Sequence, residues 1–375
     1  MNIEQGPIRP PSEAASLLIR VTRNCPWNKC TFCSTYKGKK FSRRPIEEVL
    51  RDVDTVRRVS EQVRQISRSK GFGGKITSEV VNESGARYGH LHYHVASWLY
   101  YGGKSVFLQD ANSLLLKTSD LVEIINYIRT AFPSVERVTT YARADTAARK
   151  NDEDFLALGN AGLSRIHMGM ESGSDIVLKM VQKGITSSQL IQAAQKIRGA
   201  GISLCWYIMP GLGGKEHSSE HALGTAEVIN AGNPDYVRFR TLSVLKRTPL
   251  YDMVQSGIFT VPDEDDMVEE QRLIIQSLNG VTTTIVSDHV LNLLQELEGT
   301  LPVDREKMLN IIARYLALPQ EAKNNYQLGR RAGVYLKLDD MQNKNRFNYV
   351  QSLLSQIGGP ENINKELAKI RRGFV

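Results

Sequence analysis

An α/β fold, with a parallel sheet and crossover helices, is what this sequence predicts, on three observations. Six short β-rich apolar runs alternate with longer amphipathic stretches. The stretches between them carry helix start and stop signals. The chain has 375 residues, 41% hydrophobic and 23% charged, enough for two or three domains or one large α/β barrel.

In chain order, the first run is Leu17 to Thr22, and more than eighty residues separate it from the second, Ser105 to Gln109. A connection of that length must hold structure of its own. Behind Pro45, Glu47 and Glu48, residues Ile46, Val49, Leu50, Val53, Val56, Val59, Val63 and Ile66 keep a helical period. Gly71, Gly73 and Gly74 break it, and a second helix is predicted around Ala96 to Tyr101, so residues 45–103 read as a helical insertion. Arg137 to Tyr141, Arg165 to Met170, Ile202 to Met209 and Tyr236 to Leu242 are the remaining runs. Helices between them start at Thr118 to Asp120 and at Thr186 with Gln189, a capping box. Gly102-Gly103, Gly159 with Gly162, and Gly199 with Gly201 mark helix ends. After Pro249 the alternation fades. Residues 251–375 read as a mostly helical C-terminal region, with Ile285 to Ser287 as one more strand and Asp339 to Asn348 as a linker into a last helix.

Composition excludes several classes. The apolar fraction rules out a disordered or collagen-like chain, and four cysteines over this length are no disulfide scaffold. No apolar run approaches the ~20 residues of a membrane-crossing helix. The start, MNIEQGPIRPPSEAAS, has no apolar signal core, which predicts the reducing cytoplasm, where clustered thiols bind metal or do chemistry. A net charge of +8, from 48 Lys and Arg against 40 Asp and Glu, permits an anionic partner without requiring one.

The strongest chemical signal is Cys25-PWNK-Cys30-TF-Cys33, directly after the first strand. Thiolates this close can converge on one centre, and cysteine sulfur selects zinc or iron–sulfur clusters. A two-iron ferredoxin-type site needs a fourth cysteine. Cys205 alone is available, 172 residues beyond Cys33 in the apolar run ISLCWYIMP, where a small buried hydrophobe is the default. Three cysteines with one open metal position therefore fit best, and an open position belongs to catalytic centres. The rival readings are a [2Fe-2S] electron carrier completed by Cys205 and a zinc-stapled nucleic-acid binder.

Cys25, Cys30 and Cys33, with the aromatic Phe32 before the last cysteine, resemble the cluster loop of the radical S-adenosylmethionine (SAM) superfamily. The spacing departs from the family's commonest one, with four residues rather than three between the first two cysteines. The resemblance implies a partial (β/α)6 TIM-type barrel and a [4Fe-4S] cluster on these three cysteines. Its fourth iron would be chelated by the amino and carboxylate groups of SAM, and its electron would release a 5′-deoxyadenosyl radical that abstracts a substrate hydrogen.

The strand ends extend the resemblance. Gln109-Asp110-Ala111-Asn112 stands where the family binds the SAM amino group, which implies that role for Asp110 with Asn112 assisting; by itself the segment also reads as an N-cap. In Tyr141-Ala142-Arg143-Ala144-Asp145, Arg143 can pair with a carboxylate or with Asp145. Gly169-Met170-Glu171-Ser172-Gly173-Ser174, followed by a xxVLKxxxKG string, resembles the segment in which Glu171 would meet the ribose and Ser172 the methionine carboxylate. Met209-Pro210-Gly211 resembles the adenine loop, with Arg238, Arg240 and Thr241 on the adenine or substrate side. Strand ends of a barrel share one mouth, so these motifs would form one site, capped by the C-terminal region. The arrangement is closest to the branch holding the Elongator catalytic subunit, methylthiotransferases and oxygen-independent coproporphyrinogen oxidase.

What remains is weaker. His90, His92 and His94 in HLHYH read as a helix face or loop before a metal or substrate site. Ser287-Asp288-His289 reads as local capping, not a triad. The basic run Lys37 to Arg44 reads as a solvated approach to the Pro45 helix or a landing patch for reduced ferredoxin or flavodoxin. Lys369, Arg371 and Arg372 read as solvating the last helix. The substrate is expected to be a small molecule before nucleic acid, and the cluster oxygen-labile.

Overall fold

The computed structural model describes residues 2–357 and 360–372. The chain forms two compact units, Met1–Asn28 with Thr35–Met168 and Lys196–Leu204, and Lys29–Ser34 with Gly169–Gln195 and Cys205–Val375.

The first unit holds β1 (Leu17–Arg20), β2 (Thr22–Arg23), β3 (Ser42–Arg43), β4 (Ser105–Gln109), β5 (Arg137–Ala142) and most of β6 (Leu163–Glu171). β1, β4, β5 and β6 pair in parallel, with Leu17 opposite Val106, Ser105 opposite Arg137 and Val138 opposite Leu163. The predicted first strand is broken at Val21. β1 stays in the parallel sheet, whereas β2 turns away to pair antiparallel with β3, which the sequence did not announce. The helices are α1 (Ile46–Ser69), α2 (Ser78–Tyr88), α3 (His90–Tyr100), α4 (Thr118–Ala131), α5 (Ala144–Arg149) and α6 (Asp152–Ala161). The α1 stripe Val49, Val53, Val56, Val59, Val63 and Ile66 is buried as its period requires. The insertion has three helices rather than two, because α2, capped by Thr77, is an additional one; the predicted second helix is α3, which begins at His90 and makes HLHYH helical. His90 and His94 stack one turn apart, and His92 is buried with Nε2 2.9 Å from Gln62 Oε1.

The second unit holds α7 (Asp175–Met180), most of α8 (Ser187–Gly199) and of β7 (Ser203–Ile208), then α9 (Ser218–Gly232), β8 (Tyr236–Phe239), α10 (Pro249–Gln255), α11 (Glu264–Ser277), β9 (Thr284–Val286), β10 (Gly299–Thr300), α12 (Arg305–Leu316), α13 (Gln320–Arg331), α14 (Lys344–Ser355) and α15 (Pro360–Arg372). β7, β8 and β9 pair in parallel, with Cys205 opposite Tyr236 and Tyr236 opposite Thr284, and β10 closes antiparallel on β9. The predicted box at α8 is present: Thr186 N–H donates to Gln189 Oε1 at 3.0 Å and Gln189 N–H to Thr186 Oγ1 at 3.3 Å. The fold is thus α/β with a mostly parallel sheet, the partial rather than closed barrel that the alternation and the resemblance predict.

Three further expectations are corrected. The linker predicted over Asp339 to Asn348 is a 3-10 turn running into α14, capped by Asn343 Oδ1. Arg44 does not belong to an exposed basic strip: it is buried, with Nη1 2.7 Å from Asp52 Oδ2. Arg371 is likewise buried, 3.6 Å from Glu264, which Arg331 also grips at 2.8 Å. A Lys/Arg-rich helix end says nothing about solvation until its partners are known. Among the described residues, no helix is long and apolar enough to cross a membrane.

Candidate functional site

In the first unit the predicted residues cluster at the ends of β4 and β5. Asp110 is fully buried. Its Oδ2 accepts Arg20 Nη2 at 2.7 Å and Asn24 N–H at 3.2 Å, Oδ1 accepts the Tyr36 hydroxyl, and its own N–H donates to Thr22 Oγ1. An incoming ammonium group would have to displace one of these donors. Burial, then the Asp110 charge, pushes the Tyr36 phenol far above its ordinary range, so the proton stays on the oxygen that donates. Asn24 precedes Cys25 and Tyr36 follows Cys33, so one carboxylate holds both flanks of the cysteine loop.

Beside it, Asn112 Nδ2 donates to Thr146 Oγ1 at 2.9 Å and Oδ1 accepts the Arg143 N–H at 3.3 Å. Arg143 pairs with Asp145 at 3.0 Å and lies 5.4 Å over the Trp27 ring. Tyr141 meets Phe107 and His167 edge-on. Sequence reasoning missed His167, whose Nε2 is 3.3 Å from the Glu13 carboxylate, itself held by Arg137 at 3.0 Å. No local pattern links residues 13, 137 and 167.

In the second unit the later cysteines and the later motifs meet. Thr31, between Cys30 and Phe32, donates its N–H to Val181 C=O at 3.0 Å, just past α7, and its C=O accepts Leu250 N–H at 3.0 Å. Phe32 packs against a core of Val177, Val181, Met209, Leu212, Leu242, Leu250 and Phe259. Glu171 has φ 65°, a left-handed value costly for a non-glycine residue and typical of constrained sites. Its Oε1 accepts Lys183 Nζ at 2.8 Å, and that ammonium lies 5.8 Å from the Phe32 ring centre. Gly169 makes room: a Cβ there would sit 2.3 Å from Glu171 Oε1. Met209 N–H donates to Glu171 C=O at 2.9 Å, which ties the loops after β6 and β7 together.

Behind these loops lie two groups that sequence reasoning missed. His221 Nδ1 is 2.8 Å from Ser172 Oγ, which also accepts Ser174 N–H at 3.1 Å. Glu270 Oε2 accepts Gly211 N–H at 2.6 Å, and Oε1 accepts the Ser218 hydroxyl at 2.8 Å. Burial pulls the His221 imidazole down to about 4 and pushes the Glu270 carboxyl up to about 7. A histidine and a glutamate on helices give no signal in a single sequence that they face loops 49 and 59 residues away.

Arg238 pairs with Asp288 at 2.5 Å. Ser287 donates to Leu294 C=O at 2.8 Å, and His289 Nδ1 accepts Leu291 N–H at 3.2 Å. These are the local bonds predicted in place of a triad. Cys205 is fully buried in β7 as a core residue.

No disulfide joins Cys25, Cys30 or Cys33. Among the described residues no three His, Cys, Asp or Glu side chains gather around a single metal ion. A four-iron cluster binds one thiolate per iron and spreads its ligands wider than one ion does. The donors suit it: three thiols on one loop, with Asn28 N–H 3.5 Å from Cys25 Sγ, the amide-to-sulfur bond that stabilises cluster thiolates.

The fold is a mostly parallel α/β sheet with candidate motifs at its strand ends. The family model of the radical SAM superfamily matches residues 94–225. The chain is 21% identical over 281 residues to a tRNA uridine(34) acetyltransferase of Methanocaldococcus jannaschii, covering 71% of this chain and 49% of that protein. It is 27% identical over 206 residues to a putative methylthiotransferase of the same organism, covering 54% and 36%. A solved methylornithine synthase superposes with a TM-score of 0.43 at 13% identity, covering 80% of this chain and 81% of that one. The chain thus spans about half or less of the curated relatives it matches. The family match over residues 94–225 and these relatives support a radical SAM superfamily enzyme. Radical SAM chemistry involves SAM and an iron–sulfur cluster, and needs a reductant and a substrate.

Proposed function

We propose that the enzyme cleaves SAM reductively with a [4Fe-4S] cluster held by Cys25, Cys30 and Cys33, and directs the resulting 5′-deoxyadenosyl radical at a substrate hydrogen. The observation that carries this reading is the meeting, in one compact unit, of the Cys30 to Cys33 segment with the Glu171 and Met209 loops through Thr31, Phe32 and Lys183. When bound, the cluster supplies the electron that breaks the sulfonium carbon–sulfur bond.

The chain's residues bind and orient. Phe32 and Met209 offer an apolar wall, and the backbone at Gly211 can approach a flat adenine ring. Glu171, its rotamer fixed by Lys183, offers a carboxylate oxygen to the ribose hydroxyls. Ser172 suits the methionine carboxylate; in the first unit, Asn112, Tyr141 and Arg143 are the SAM-contact candidates. Asp110 acts chiefly through the loop it fastens. Arg238 faces the adenine or substrate side. Residues 1–250 would form the core with the 45–103 insertion, and the mostly helical 251–375 would select the substrate. Lys37, Lys39, Lys40 and Arg43, the run without the buried Arg44, offer a landing patch for reduced ferredoxin or flavodoxin.

Anaerobic reconstitution with iron and sulfide, reduction with dithionite and addition of SAM tests the reading. Expected are about four irons per chain, release of 5′-deoxyadenosine, and loss of both in Cys30→Ala but not Cys205→Ala. Two irons that require Cys205, or zinc without SAM cleavage, would refute it. A small-molecule substrate is the first expectation. Similarity to tRNA uridine(34) acetyltransferases favours tRNA as a second reading, and hydrogen transfer into deoxyadenosine from deuterated tRNA decides for it.

A further inference from the structure

His221 and Glu270 lie outside the strand-end motifs, yet each grips a loop proposed to bind SAM. On α9, His221, Gly224 and Thr225 share one face, as residues three and four apart do. That face is pressed against the loop after β6. Thr225 Oγ1 accepts Gly173 N–H at 3.0 Å, and a Cβ on Gly173 would lie 2.2 Å from the Gly224 carbonyl oxygen. His221, one turn earlier, is fully buried and holds Ser172. From α11, the buried Glu270 takes the Gly211 N–H and the Ser218 hydroxyl at the start of α9. Its Oε2 stands 3.9 Å from His221 Nε2, an atom with no hydrogen-bond partner among the described residues. That separation is beyond a hydrogen bond but close enough for the two groups to sense each other.

We propose that His221 and Glu270 are positioning residues that lock the Ser172 and Gly211 loops into one SAM-binding geometry. The inference rests on the SAM reading of those loops. Neither residue need touch the nucleotide: His221 fixes the Ser172 hydroxyl, Glu270 fixes the Gly211 amide, and both act from the face behind the loops. As donor or as acceptor, Nδ1 engages the Ser172 hydroxyl at 2.8 Å and holds it in one orientation.

Four variants separate this role from plain structural support. His221→Leu and Glu270→Leu remove the polar contacts. His221→Asn keeps an acceptor near the Nδ1 position, and Glu270→Gln keeps an acceptor for Gly211 and a partner for Ser218. In reconstituted protein, SAM affinity is read by equilibrium dialysis of labelled SAM, alongside iron content, unfolding midpoint and the change that SAM makes in the electron paramagnetic resonance of the reduced cluster. In unloaded protein, amide hydrogen exchange is followed over Gly211 to Gly214. The leucine variants are expected to keep wild-type iron, bind SAM about tenfold more weakly and exchange these amides faster. The Asn and Gln variants are expected to stay within about threefold of wild type. Leucine variants that bind SAM like wild type, or Asn and Gln variants that lose as much as the leucines, overturn the proposal. Glu270→Ala, judged by the same affinity criterion, replaces a leucine variant that does not fold. A wild type with a full cluster but no SAM binding refutes the parent reading instead.

Discussion

Asp110→Asn tests the claim that one buried carboxylate organises the flanks of the cysteine loop. Asp110 is fully buried and serves three donors: the Arg20 guanidinium at 2.7 Å, the Asn24 N–H at 3.2 Å and the Tyr36 hydroxyl. Removing one partner of a buried ion pair costs about 3–5 kcal/mol, because the other charge is left without compensation. Arg20 also reaches Glu4 at 3.0 Å, which compensates part of the guanidinium and places the cost near the lower end, about 3 kcal/mol. Tyr36→Phe removes a single charge-assisted hydrogen bond, worth about 1.5–3 kcal/mol. Both act on one carboxylate, so the double variant should cost less than the sum. With a urea slope of about 3 kcal/mol per molar, Asp110→Asn lowers the unfolding midpoint by about 1 M. The unfolding is followed by tryptophan fluorescence, and an Asp110→Asn midpoint within about 0.2 M of wild type would contradict the assignment.

The remaining expectations concern the second unit. Burial raises Glu270 from 4.5 to about 7, so the folded state holds its proton more tightly. The contribution, about 3 kcal/mol in total, is complete below pH 4.5 and lost as pH rises through 7. Between about pH 5.5 and 8, wild type should lose roughly 2 kcal/mol more stability than Glu270→Gln, and parallel pH curves would rule this out. Glu264 is buried, and although burial pushes its carboxyl up, Arg331 and Arg371 hold it below its ordinary value. Glu264→Gln should cost about 3–5 kcal/mol and speed proteolysis within α15; a loss under about 1 kcal/mol would show the pair to be incidental. Gly173→Ala should destabilise by about 2 kcal/mol or more, because the obstacle is backbone. Gly199→Ala meets nothing within 4 Å at a helix end and should be neutral or gain up to about 1 kcal/mol. Equal thermal shifts for the two would undo that argument.

The legibility of the chain tracks the range of the forces involved. Ser105–Gln109 is legible to the residue, and the strands at 137, 203 and 236 within a few residues, because a buried parallel strand is a continuous β-rich run. The Thr186 box is local and was visible. The short strands β3 and β10 escaped because two residues carry no period and exist only by pairing. The helix start at His90 is masked by the polar HLHYH string, in which His92 is buried only through its contact with Gln62 of α1.

By itself, the sequence determined the α/β alternation, the three-cysteine loop and the order of the strand-end motifs, since each is a property of neighbouring residues. Tertiary structure alone decided which charges are buried. Arg44 and Arg371 became partners of Asp52 and Glu264, Asp110 became the fastening of the cysteine loop, and His221 and Glu270 came to stand behind Ser172 and Gly211. The physical reason is that hydrophobic periodicity is written locally. The cost of burying a polar group is met by partners tens of residues away, and only the folded chain brings them within hydrogen-bond distance.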